Sequence, residues 1–244
     1  MTVNGYTLTG DNYFFLNFYQ LPLVDKNKAS GEGLDEGFPV FFASHYTFFH
    51  YLNLCRLLHK HAALFKARSI GFSEINASIA ARLYTIIKLS RTMITCFDDR
   101  FLNGTFGKVD HALTFLNTHT DGGMFKPRII DKDLHKKSGY QVKVNGQFED
   151  TGFKSEVIAI NGKNPRNIRG DRVDLLIYDE AGSWPGLTTA VVQGQELCEV
   201  QGMPRGIQIF GGTGGDFGPP LEGLKKIYYH PRAFKVLPFR HNFT

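Results

Sequence analysis

Asp179 and Glu180 stand side by side at the end of an apolar run, Leu175, Leu176, Ile177 and Tyr178, within the stretch Asp171 to Gly182. An apolar run bounded by polar residues suits a strand buried on both faces of a parallel sheet. Open α/β sheets bind ligands beyond the carboxyl ends of their strands. Carboxylates are expensive to bury alone, so a pair at that edge faces a metal, a water or a cation. The pattern is that of a Walker B strand: Asp179 would hold Mg²⁺ through water, and Glu180 would orient or deprotonate an attacking water. A plain buried strand followed by an acidic helix cap is the competing reading.

Upstream lies a stretch that pairs with it. The usual phosphate loop reads G-x-x-x-x-G-K-[ST], a strand-to-helix turn whose backbone amides cradle phosphates. Lys66, Ala67, Arg68, Ser69, Ile70, Gly71, Phe72 and Ser73 fall on that template. Lys66 stands where the first glycine belongs and Phe72 where the lysine belongs, while Gly71 and Ser73 match. A long ammonium at the loop's start can fold back over phosphates and supply the missing charge. Arg68 can do the same, and Ser73 keeps the hydroxyl that Mg²⁺ needs. A strand–turn–helix with incidental basic residues is the plainer alternative. Gly211, Gly212, Thr213, Gly214 and Gly215 form a third candidate after another apolar run. Glycines there permit close backbone approach, and Thr213 could sense a terminal phosphate; a flexible glycine-rich turn reads the same residues without chemistry.

These residues need elements to hold them. His61 to Phe65 reads as a first strand feeding the loop, and Glu74 to Lys88 as the helix after it. Arg91 to Phe97 reads as a second strand, and Asp98 with Asp99 as the start of a helix reaching intermittently to Leu116. Patches of alternation (Tyr140, Val142, Val144; Phe153, Val157, Ile160) around Gly146 to Gly152 suggest antiparallel strands. A helix over Leu187 to Val200, a strand over Gly206 to Phe210, a helix over Pro219 to Tyr229 and a strand over Phe234 to Pro238 complete the chain. Near the start, Gly5 to Tyr19 is aromatic-rich and reads as a helical or irregular lid. Asp25 to Gly37 is a charged, glycine-rich loop, and Phe38 leads into an amphipathic helix through His59. Strands alternating with helices predict an α/β fold, a mainly parallel central sheet flanked by helices, with an antiparallel addition.

Composition narrows the class. With 244 residues, 42% of them hydrophobic, the chain can bury one large core or a core with a small appendage. Aromatic residues at 14%, including 22 Phe, favour a packed globule over disorder. The three cysteines, Cys55, Cys96 and Cys198, form no paired motif, which points to a reducing compartment and no structural zinc. No apolar run reaches membrane-spanning length, and no basic-then-apolar leader opens the chain. The net charge of +5 has a location: Lys126 to Arg172 holds eleven Lys or Arg against six Asp or Glu, leaving the remainder neutral. Such a segment can contact phosphate backbones or be a solvated charged hairpin. The end, Arg240 to Thr244, has neither a tail composition nor a terminating element and reads as a cut in a longer chain.

The three patterns, taken in chain order, resemble the ATPase domain of the large terminase subunit of tailed double-stranded DNA viruses, the motor that packages genomes into procapsids. The displaced-lysine loop Lys66 to Ser73, Asn167-Ile-Arg169-Gly170 shortly before the Asp179–Glu180 strand, the Gly/Thr motif around Thr213 and the early aromatic run from Tyr13 to Phe18 carry the resemblance, which spans roughly residues 1–240. Phe72 departs from the pattern and leaves the phosphate-binding cation open between Lys66 and Arg68. The resemblance implies a RecA-like P-loop (ASCE) domain over 61–244, with 1–60 as a lid or adenine-side segment packed on it. It implies ATP as substrate with Mg²⁺, an arginine finger for which Arg169 is the candidate, an adenine contact for which Tyr46 is the candidate, and coupling residues Gly212, Thr213 and Gly214. The expected partners are double-stranded DNA, through Lys132, Lys136 and Lys137, the portal protein, the small terminase subunit and further copies in a ring on the portal. The expected location is the host cytoplasm, transiently at the procapsid portal and not in the mature virion. In the family a nuclease domain of ribonuclease-H type follows the ATPase domain, and no room remains for it after Thr244, so packaging without cutting is expected. Another P-loop nucleic-acid ATPase, helicase-like, or a nucleotide- or DNA-binding module without turnover are the alternatives.

Overall fold

The apolar run 175–178 becomes the fourth strand across an eight-stranded sheet. The architecture comes from a computed structural model, in which the described residues are all but 1, 4, 24–34, 68, 69, 165, 166, 169, 214–218 and 241–244. The sheet strands are β1 (His61–Lys66), β2 (Arg91–Cys96), β3 (Arg128–Lys132), β4 (His135–Ser138), β5 (Glu156–Asn161), β6 (Leu175–Tyr178), β7 (Ile207–Thr213) and β8 (Val236–Pro238). Their spatial order is β8-β1-β7-β6-β2-β5-β4-β3. The first six of these neighbours run parallel. The last two pairings, β5 with β4 and β4 with β3, are antiparallel. This is the α/β sheet with an antiparallel addition that the alternating pattern predicts.

Strand periodicity sorts the core into two layers. Leu175 and Ile177 pack with Ala62, Leu64, Ile94, Cys96, Ile207 and Ile209 on one face, under α1 (Gly10–Phe18), α2 (Ala43–Leu57), α3 (Phe72–Ile86) and α4 (Asp99–His119). Leu176 and Tyr178 pack with Ala63, Met93 and Phe210 on the other, under α5 (Leu187–Leu197) and α6 (Pro219–Tyr229). All four residues of β6 are at most 1% exposed, as a strand covered on both faces requires. The three cysteines are free and buried in these layers. Burial pushes the thiols of Cys55 and Cys198 up to about 12 and that of Cys96 higher still.

Several elements differ from their expected extents. α4 runs unbroken from Asp99 to His119 in spite of Gly104 and Gly107. Leu102, Phe106, Val109, Leu113 and Leu116 form a buried stripe along it. Each such burial is worth roughly 1.5–3 kcal/mol, against about 1 kcal/mol lost per helical glycine, so the stripe wins. Its start is capped by Asp98, whose Oδ1 accepts from the Arg100 amide at 2.8 Å. The region 139–162 is not wholly antiparallel: Tyr140–Val144 and Gln147–Thr151 form an exposed hairpin, but β5 joins the main sheet parallel to β2. Alternation marks a half-covered strand and carries no information on its direction. β7 extends three residues past the expected Phe210 and takes in Gly211, Gly212 and Thr213, paired with Leu64, Phe65 and Lys66 of β1. Two short antiparallel pairs, 2–3 with 6–7 and 21–23 with 35–37, lie in the N-terminal part and carried no sequence signal of their own.

Candidate active site

The C-terminal ends of β1, β7 and β6 lie side by side, and each delivers one polar residue to the same edge. β7 sits between the other two, so Lys66 must reach across it. Lys66 Nζ donates to Glu180 Oε1 at 2.6 Å. The ammonium-bearing side chain is only 7% exposed and that of Glu180 is 21% exposed, so the pair is shielded yet open on the carboxylate side. Thr213, the register partner of Lys66, places its hydroxyl 3.4 Å from Glu180 Oε2. Glu180 holds this aim through a left-handed backbone, φ 50° and ψ 39°, a conformation that non-glycine residues adopt when the surroundings fix it.

Asp179 does something different from its neighbour. It is 1% exposed, and both carboxylate oxygens are engaged. Oδ2 accepts from Thr105 Oγ1 of α4 at 2.6 Å, and Oδ1 accepts from the Glu180 amide at 3.0 Å. Its own amide donates to Thr95 O at the end of β2 at 3.0 Å. Behind the pair, Gly182 and Gly212 touch backbone to backbone. A Cβ on Gly212 would lie 2.2 Å from the Gly182 nitrogen, and one on Gly182 would lie 2.5 Å from Thr213 O. No side chain fits at either place, which is the physical reason for glycine there.

The loop between β1 and α3 ends at Gly71, left-handed at φ 74°, and the first bond of the helix is Ile75 N–H to Gly71 O at 2.9 Å. The amides at a helix start have no partner within the helix and, with its dipole, favour an anion. His45 of α2 braces the loop: its Nε2 donates to Ile70 O at 3.0 Å, and burial lowers the pKa of the ring. Ser73, half-buried, lies in the first turn of α3. Ser73 offers a hydroxyl and Asp179 a carboxylate, oxygen donors of the kind that Mg²⁺ takes alongside waters and phosphate oxygens. Among the described residues no group of three or more His, Cys, Asp or Glu could hold a metal by itself.

Neither a comparison with protein-family models nor one with curated proteins finds a match. Solved structures do match. The large terminase of bacteriophage HK97 aligns with 93% of this chain at a TM-score of 0.60 and 12% identity, over 42% of that chain. The large terminase ATPase domain of Thermus phage P74-26 aligns with 66% of this chain at a TM-score of 0.50 and 19% identity, over 62% of that chain. The fold is that of a phage large terminase ATPase domain. This chain matches less than half of the HK97 protein and less than two thirds of the P74-26 domain. At these identities the terminase fold is what is shared, and the site rests on its own geometry.

Of the residues singled out in the sequence, the structure brings Lys66, Asp179, Glu180, Gly212 and Thr213 together at this edge. Phe72 does not take the place of a phosphate-binding lysine. It is the first residue of α3, 3% exposed, with its ring against Gly211, where a Cβ would lie 2.1 Å from the ring, and edge-on to Phe48. The template position is a core position here. Ala67 is exposed, and Ile70 packs against the core. Tyr46 makes its ring contacts with Tyr6, Phe41 and His50, at centroid distances of 5.4, 5.8 and 4.4 Å. Arg68, Ser69, Arg169 and Gly214 lie outside the described residues. The basic candidates sit on the antiparallel edge and are unequal. Lys132 is exposed, whereas Lys136 is 7% exposed and holds Asp131 at 2.8 Å and Asp110 at 3.2 Å, and Lys137 holds Asp150 at 2.7 Å. Counting charge along the sequence does not reveal pairing, so a phosphate would have to displace carboxylates from Lys136 and Lys137. Thr105 and His45 were missed. A threonine inside a helix and a histidine on one carry no spacing signal that links them to residues far along the chain.

Proposed function

We propose that this chain binds ATP with Mg²⁺ at the C-terminal edge of its sheet and hydrolyses it, as the motor domain of a viral terminase large subunit that drives double-stranded DNA into a procapsid. The observation that carries the reading is the convergence of Lys66, Thr213 and Glu180, with Asp179 buried directly behind. An ammonium, a hydroxyl and a carboxylate at the mouth of a strand-to-helix loop are the groups that phosphoanhydride hydrolysis requires.

We assign the roles as follows. The start of α3 and Lys66 bind the phosphates. Lys66 is shared between phosphate and Glu180, so a terminal phosphate that draws the ammonium away leaves the carboxylate free to orient and deprotonate the attacking water. Thr213, held on β7 against the Gly182 backbone, carries the change at Glu180 into the sheet edge. When bound, Mg²⁺ supplies charge neutralisation on the phosphate oxygens, with Ser73 and Asp179 as the residues that would hold it. Arg169 is the proposed finger, acting on a neighbouring copy, and Tyr46 the proposed contact on the adenine side. The proposed partners are DNA, the portal protein, the small terminase subunit and further copies of the chain in a ring on the portal, in the host cytoplasm.

Steady-state phosphate release, with and without double-stranded DNA, tests the reading. Mg²⁺-dependent release that rises with DNA is expected; nucleotide binding with no release under conditions where the chain self-associates would sink it.

A further inference from the structure

We propose that Thr105, a residue of α4 far from the three sequence motifs, is a positioning residue for the acidic pair. The inference rests on the ATPase reading above and names a residue that this reading does not use. Asp179 and Thr105 are separated by 74 positions in sequence, and both are buried, at 1% and 3% exposed. The 2.6 Å bond between them fixes one carboxylate oxygen, Oδ2, and so sets the direction of the other. That other oxygen, Oδ1, accepts from the Glu180 amide, the group whose orientation goes with the left-handed turn at Glu180. The chain of contacts therefore runs from Thr105 through Asp179 to the backbone that aims the Glu180 carboxylate.

The alternative use of a helical threonine makes the arrangement informative. Threonines inside helices ordinarily bond a carbonyl one turn back. Thr47, Thr85 and Thr118 do so here, to Ala43 O, Ala81 O and Thr114 O at 2.8, 2.8 and 3.1 Å. Thr105 instead donates across the fold. It is carried there by the buried stripe of α4, with Leu102 three residues before it and Phe106 directly after, both in the core. Hydrogen-bonded groups behind a metal-associated carboxylate are typically worth about 10–100-fold in metal affinity or activity.

The test compares Thr105→Val, which removes the hydroxyl at nearly constant volume, with Thr105→Ser, which restores it, and with Thr85→Val as a control for losing a buried threonine elsewhere. Two readouts are taken: phosphate release, and the Mg²⁺ concentration that half-saturates binding of a fluorescent ATP analogue. Thr105→Val should lower kcat by about 10–100-fold and raise the half-saturating Mg²⁺ several-fold, while Thr105→Ser recovers most of both and Thr85→Val changes neither. Thr105→Ala, with the same expectation, replaces Thr105→Val if the latter does not fold. A folded variant lacking the hydroxyl that keeps the parent's kcat and Mg²⁺ dependence overturns the proposal, as does a serine variant no better than valine. A parent that binds the analogue with Mg²⁺ but never turns over sinks the ATPase reading alone, because the Mg²⁺ titration still reports on Thr105. A parent that binds no nucleotide sinks both.

Discussion

Glu180 is held by Lys66 and Thr213 at once, and the two contacts make different demands on its replacement. Glutamine keeps an acceptor for the Lys66 ammonium and removes only the charge and basicity. Glu180→Gln should therefore retain nucleotide binding while turnover falls by about 10²–10⁴-fold, the usual worth of a general base. Turnover within a factor of two of the parent would remove Glu180 from the chemistry. Lys66 is the complementary case. Lys66→Ala takes the cation from both the proposed phosphate site and Glu180, whereas Lys60, one residue before β1 at its other end, is exposed and remote from this edge. In a titration with a fluorescent ATP analogue, Lys66→Ala should weaken binding clearly and Lys60→Ala should not. Equal effects would shift the phosphate-binding role to Arg68.

At the scale of elements, the sheet depends on neutral groups at its buried joints. His61 opens β1, is 6% exposed, and accepts from the Gln208 amide of β7 through Nδ1 at 3.1 Å, which only an imidazole lacking a proton there can do. Burial, reinforced by Lys235, pushes its pKa down to about 4 from an ordinary value near 6.5. The folded state thus binds this proton less readily than the unfolded chain. The contribution is fully present above pH 6.5 and is lost as pH falls towards 4, to a limit of about 3 kcal/mol. Urea unfolding of the parent and of His61→Asn across that range should show a shallower loss in the variant; identical slopes would mean that His61 does not control it. Legibility at this scale follows the same division between local and distant forces. The β6 run and its two carboxylates could be read because burial on both faces writes a continuous apolar word. So could the helix starts at Asp98 and the loop before α3. The position of β7 between β1 and β6 could not, because strand order is settled by crossovers rather than by composition. Phe72 shows a related limit: the motif template marks it only as a departure, while the Gly211 backbone beside it assigns that ring to the core. The Lys66–Glu180 contact needed the fold, since 114 residues separate the partners.

For the whole molecule, the proposed function asks a neutral body with one basic flank to grip DNA and to pass work between copies. Lys132 is exposed, and its neutralisation should weaken binding uniformly across sequences and flatten the log–log salt dependence by about one unit if it makes one phosphate contact. Lys136→Gln should instead lower thermal stability more than DNA affinity, because it strips the ammonium from Asp110 and Asp131. Salt titrations of binding alongside melting curves separate the two. For the proposed finger, mixing Arg169→Ala with Glu180→Gln copies should partly restore turnover where an intact Arg169 faces an intact Glu180. No rescue, under conditions where the parent assembles, would place Arg169 in its own subunit's site or in the framework. Watching such mixtures turn over one assembly at a time calls for dyes, and here the buried cysteines matter. Cys55, Cys96 and Cys198 lie out of solvent with their thiolates strongly disfavoured, so maleimides should find none of the three in the native chain and all three after denaturation. A single cysteine added at an exposed position would then be the one reactive handle, and a fluorophore could be attached to a working copy with its native cysteines left in place.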